Sequence, residues 1–126
     1  MLANQMSERR TNRSSYASQA LQLQLLQVAE QFCLDAVVLS DSLGHVWAAS
    51  CRSPEEGGLV SELASMGRSS SAPKQRVRRG RSSVMVRRLQ VGPATLFLAA
   101  QGAERRSGPA LERATDGVER ILGDLL

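Results

Sequence analysis

The hydrophobic period changes twice along this chain, and that change limits the folds open to it more than any other feature. Near the start, Leu21, Leu25, Val28 and Phe32 recur at helical spacing, with Leu26, Ala29 and Cys33 widening the stripe. Gln22, Gln24, Gln27 and Gln31 fall largely outside it. Near the end, Leu111, Ala114, Val118, Ile121, Leu122 and Leu125 form a second stripe, opposite Glu112, Arg113, Asp116, Glu119 and Arg120. Between the two, most apolar residues come in short runs separated by Gly, Pro, Ser and Asp. Two amphipathic helices bracketing short strands must bury their stripes, and a sheet is the surface available.

The first helix is expected over 15–33, capped by Ser14 or Ser15, behind a flexible basic arm at 1–14 in which Ser, Asn, Gln and Arg dominate. A β-hairpin follows at once: Ala36–Ser40, the turn Asp41-Ser42-Leu43-Gly44, then His45–Ser50. Ser53-Pro54-Glu55-Glu56 is a helix start, with Ser53 as cap, Pro54 at the first helical position and Glu56 closing a capping box. That helix is expected to run to about Met66 and stop at Gly67, with an apolar face of Leu59, Val60, Leu63, Ala64 and Met66. After a loop at 68–73, three strands are expected at 74–79, 82–89 and 94–100, separated by Gly80-Arg81 and Val91-Gly92-Pro93. The run at 94–100 is apolar enough to be central and covered on both faces, whereas the arginine-rich 74–79 suits an edge. Ser107-Gly108-Pro109 leads into a last helix at 109–125. The fold class is α+β, an α-β-β-α-β-β-β-α sandwich around a central antiparallel sheet. The first and last helices cover one face, and the middle helix lies on the other face or at an edge.

With 126 residues the chain is one domain, and with only 3% aromatics its core is built from Leu, Val and Ala. Burying more surface in a dimer is the usual remedy for so thin a core. The polar, basic start is no secretory signal, and no apolar run approaches the ~20 residues that span a bilayer. A cytoplasmic protein with Cys33 and Cys51 as reduced, core-packed thiols is therefore expected, since neither has a Cys-x-x-Cys or cationic setting.

Catalytic chemistry is not legible. There is no Gly-x-x-x-x-Gly-Lys-Ser/Thr loop and no Gly-x-Gly-x-x-Gly. His45 is the one histidine and cannot complete a tetrahedral zinc site with two separated cysteines. Glu55 and Glu56 are explained by capping, and Asp41 by its turn. No cofactor, metal or small-molecule substrate is expected, and the chain reads as a non-enzyme. Trp47, the lone tryptophan, packs on the neighbouring helix or serves as a partner anchor.

Charge is unevenly placed. Eight of the sixteen basic residues lie between Arg68 and Arg88, and no acidic residue occurs from Ala64 to Ala103. Three readings of this run stay open: a solvated edge and loop, a surface for an acidic protein, or a phosphate-binding surface for nucleic acid or anionic membrane. The candidate contacts are Arg76, Arg78, Arg79 and Arg81. No aromatic stands between Arg52 and Leu96 to stack on bases, which disfavours nucleic acid.

The element order resembles the Roadblock/LC7 family, and the residues that carry the likeness are Leu34 to Ser50: an apolar strand, Asp-x-x-Gly at Asp41 to Gly44, and an apolar strand ending in Ala49-Ser50. The likeness covers about 17–125 and is nearest to MglB-like bacterial members that accompany Ras-like GTPases in gliding motility and cell polarity. It implies a dimeric interaction module that scaffolds or regulates such a GTPase by binding the GTPase, a related roadblock protein or a response-regulator-like partner. It also implies a homodimer or heterodimer in which middle helices pack together and sheets join, with Leu59, Val60, Leu63 and Ala64 at the interface and the 74–79 strand nearby. The arginine-rich 74–88 departs from the family pattern. The alternative function is a basic adaptor for nucleic acid or an anionic membrane surface, acting through 68–88.

Overall fold

A computed structural model describes the backbone at residues 2–50, 57–69, 74–79 and 82–123, and side chains at 16–50, 60–66 and 83–123. The elements are α1 (Leu2–Gln31), β1 (Ala36–Asp41), β2 (Val46–Ala49), α2 (Gly57–Ser69), β3 (Lys74–Arg79), β4 (Ser82–Val91), β5 (Ala94–Gly102) and α3 (Glu104–Leu122). The five strands form one sheet in the order β2-β1-β5-β4-β3, and every neighbouring pair is antiparallel. The expected α+β architecture is the observed one.

Two apolar layers sandwich the sheet. On one face Leu21, Leu25 and Val28 of α1 and Ala110, Leu111, Ala114 and Val118 of α3 pack on Val37, Leu39, Leu96 and Leu98. On the other, Leu63 and Ala64 of α2 pack on Val38, Val84, Val86, Phe97 and Ala99. The near-continuous apolar run of β5 is explained by its central position between these layers. Where α3 faces α1, a Cβ added at Gly117 would fall 2.4 Å from the Gln24 side chain, which would have to move aside.

Several boundaries differ from the sequence expectation. The helix of α1 continues back to Leu2 through the expected arm, since no Pro or Gly between 2 and 31 interrupts it. At its other end, the Leu34 N–H reaches the Ala29 carbonyl (2.8 Å) and the Cys33 N–H the Glu30 carbonyl (3.3 Å), with Cys33 at φ 52°. This Schellman closure puts Cys33 where glycine is usual, and its thiol is exposed rather than packed in the core. Middle helix α2 runs through Gly67 to Ser69, because glycine permits a stop without imposing one. Its expected start at Ser53 to Glu56 lies outside the described residues, as does Cys51.

Helix α3 begins at Glu104, five residues before Pro109, which sits inside it. Proline disfavours a helical predecessor through clashes with that residue's N–H and Cβ, and the predecessor here, Gly108, has no Cβ. The β4–β5 turn is the two residues Gly92-Pro93, with Gly92 at φ 57°.

Candidate interaction surfaces

The best-defined polar constellation is the β1–β2 hairpin. Asp41 Oδ1 accepts the backbone N–H groups of Leu43 and His45, each at 2.9 Å. The Gly44 N–H reaches the Asp41 carbonyl at 3.1 Å, with Gly44 at φ 85°, so Asp-x-x-Gly is the chemistry of the turn itself. Pairing passes from Leu39↔Ala48 to Ser40↔Val46, leaving Trp47 as the extra residue of a bulge. The Trp47 indole N–H then donates to Asp41 Oδ2 at 3.1 Å, and the His45 ring lies 3.4 Å from the same oxygen. Partial burial pushes the Asp41 carboxyl up, but the Trp47 indole, the His45 and Leu43 N–H groups and the His45 charge outweigh it and hold it below the ordinary aspartate range. The ring of Trp47 is half-buried against the α1 layer, so both ends of this side chain are used within the chain. At the hairpin's far end, Ser50 Oγ accepts the Val37 N–H at 2.8 Å, which accounts for the Ala-Ser ending.

The residues proposed for a dimer interface separate in the structure. Leu63 (0% exposed) and Ala64 (3%) are seated under α2 against the sheet of their own chain. Within the chain these two side chains have almost no surface left exposed, and they hold α2 on its own sheet. Val60 is half-buried at the border of that layer. Leu59 belongs to α2, but its side chain lies outside the described residues. The exposed face of α2 carries Ser61, Glu62 and Ser65.

The arginine-rich segment forms the sheet's outer edge. Among the described residues β3 contacts β4 and no helix, so it projects beyond both helical layers. Lys74 lies opposite Arg87, Arg76 opposite Met85 and Arg78 opposite Ser83. Arg87 and Met85 lie in turn opposite Leu98 and Ala100, which belong to the layer under α1 and α3. Opposed positions share a face. Positions 74, 76, 78 and 87 therefore lie on the α1/α3 face, and Arg79, opposite Ser82, on the α2 face. The four candidate arginines are thus divided: Arg76 and Arg78 share one face, Arg79 occupies the other, and Arg81 lies outside the described residues. Arg87 was missed from the sequence, because only strand register brings it beside Lys74. The exposed apolar Tyr16, Leu23, Leu43 and Val46 were missed too, since exposure is a property of packing.

Among the described residues, no three His, Cys, Asp or Glu side chains gather to hold a metal ion, and no helix is long and apolar enough to cross a membrane.

No family model matches the sequence, and no curated protein matches it. Solved structures do. MglB of Myxococcus xanthus superposes with a TM-score of 0.63 at 16% identity, over 86% of this chain and 92% of that one. The gliding protein MglB of Thermus thermophilus gives 0.62 at 14%, over 83% and 90%. An MglB in a tetrameric arrangement gives 0.61 at 16%, over 90% and 93%. At these identities the likeness is one of backbone, and the backbone is that of MglB: this chain has the Roadblock/LC7-type fold.

Proposed function

We propose that this chain is a dimeric, non-enzymatic interaction module of Roadblock type, at work in the cytoplasm, that scaffolds or regulates a small Ras-like GTPase system of the motility and polarity kind. The observation that carries this reading is the MglB-like backbone together with the sheet edge at β3, which among the described residues pairs with β4 alone. A strand edge of unpaired backbone groups is a ready place for another chain, and the neighbouring α2 offers a second contact. The partner is the GTPase, a related roadblock protein or a response-regulator-like protein. Such a module acts by binding one state of its partner better than another.

Light scattering on the purified chain, alone and mixed with a Ras-like GTPase and a roadblock protein encoded beside it, tests this. A dimer that gains mass with either protein supports it, and a monomer that ignores both overturns it. No arginine is singled out as a finger inserted in trans, so hydrolysis by the GTPase should not accelerate. An increase above about tenfold in single turnover, worth ~1.4 kcal/mol of barrier, would contradict the scaffold reading.

The competing adaptor reading is favoured by one observation, the convergence of Lys74, Arg76, Arg78 and Arg87 on one face. It predicts binding that falls steeply with salt and ignores partner identity. Replacing Arg76, Arg78, Arg79 and Arg81 with Ser would abolish that binding, yet only weaken a protein complex held by apolar anchors.

A further inference from the structure

We propose that two copies of this chain, paired through β3, form a slot on the α1/α3 face of the joined sheet that takes one acidic helix of a partner protein. The inference rests on the dimeric reading above, with the two β3 strands side by side.

The width of the slot follows from where the helices lie. A two-fold axis that joins two edge strands into one antiparallel sheet stands perpendicular to it, so every position keeps its face. Helix α3 packs over β4 and β5 and α1 over β1 and β2, whereas among the described residues β3 touches no helix. From one α3 to the other, the joined sheet therefore spans four strand spacings. At ~4.8 Å each, the two helix axes stand ~19 Å apart. Packed helices lie ~8–10 Å from one another, so a single further helix fits between them. Lying across the two-fold axis, it binds in either of two equivalent directions.

The charge of the slot is set by its floor. Lys74, Arg76 and Arg78 of each copy occupy this face of the two central strands, with Arg87 beside them on β4. Residues 64–103 contain no Asp or Glu, so the floor has no carboxylate of its own. The α3 walls carry acids and bases in equal number and leave that sign unchanged. Anionic side chains in the slot would relieve the crowding of like charge. The start of α1 is a poor occupant, since Arg9, Arg10 and Arg13 outnumber Glu8 there. A flat lipid surface does not reach a floor recessed between two helices. The slot is narrower than a nucleic-acid duplex, and no aromatic between Arg52 and Leu96 is there to stack on single-stranded bases. A helix with carboxylates along one face matches both the width and the charge.

The first test needs only the unaltered full-length chain, its mass checked by light scattering. Calorimetric titration compares a helical alanine–glutamate peptide bearing its glutamates on one face with an isomer that spreads them around the helix. The one-faced peptide should bind about tenfold tighter, at one peptide per two chains. One peptide per chain, or equal affinities, would overturn the shared slot. Single-stranded polyuridylate that competes as well as the one-faced peptide would overturn it in favour of nucleic acid.

The second test uses two neighbours in sequence that lie on opposite faces. Arg87 is on the α1/α3 face, and Arg88 is opposite Phe97 of the α2 layer. Arg87→Ser should weaken the one-faced peptide about fivefold, and so should Arg76→Ser, while Arg88→Ser stays within about twofold. Circular dichroism checks the folding of each variant, and Arg76→Ser serves alone if Arg87→Ser does not fold. Equal losses on the two faces would reduce the effect to diffuse charge and overturn the proposal. A monomer in light scattering would sink the dimeric reading and the slot together. A dimer that binds no peptide at one per two chains would sink the slot alone.

Discussion

Cys33 and Asp41 show how much a single residue's meaning depends on backbone geometry. Cys33 completes an apolar stripe in sequence, yet it occupies the left-handed closing position of α1 at φ 52° with its thiol exposed. A side chain there is strained by about 1–2 kcal/mol, which glycine avoids. Cys33→Gly should raise stability by about 1 kcal/mol, seen as a higher urea midpoint at an unchanged slope. Asp41 is the reverse case, since the Asp-x-x-Gly spacing already identified it as a turn residue. Its folded carboxyl titrates below the ordinary aspartate value. The stabilisation is therefore fully present above about pH 3.9, the unfolded value, and is lost as pH falls through the lower folded value. Asp41→Asn should flatten that acid limb in urea titrations, and an unchanged acid limb would mean that the Trp47 and backbone contacts add nothing.

At the scale of elements, the junctions carry the strain. Gly102 ends β5 against Leu34, where an added Cβ would fall 2.6 Å from Leu34 Cδ2 and 3.2 Å from its Cα. The backbone contact cannot swing aside, so Gly102→Ala should cost about 1–3 kcal/mol, measurable as a lowered melting temperature. Pro109 sits inside α3, exposed, where it cannot donate to a carbonyl of the preceding turn. Pro109→Ala should stabilise by up to ~3 kcal/mol, and a loss instead would show that the proline fits a helix already bent for it. The positions of the helices were legible from their stripes, but their ends were not. The continuation to Leu2, the passage through Gly67 and the start at Glu104 all occur where residues permit helix without marking it.

For the whole molecule, the two apolar layers are unequal. The α1/α3 layer draws on two helices, and among the described residues of α2 only Leu63 and Ala64 are fully buried in the other layer. Leu63→Ala should cost about 2–5 kcal/mol through the cavity it leaves. If Leu63 only seats α2 within its own chain, that loss will be independent of protein concentration. A loss that shrinks on dilution would place Leu63 at a subunit interface after all.

The sequence by itself determined the element order, the central β5, the edge β3 and the hairpin chemistry of Asp41 and Gly44. Each depends on local periodicity, composition or turn stereochemistry, which neighbouring residues specify among themselves. Tertiary structure decided which apolar residues of α2 face inward, that Trp47 stands in a bulge bonded to Asp41, and that Arg87 joins Lys74, Arg76 and Arg78 on one face. Those facts depend on strand register and helix rotation. Both are set by contacts between residues far apart in the chain, and no short window of sequence contains them.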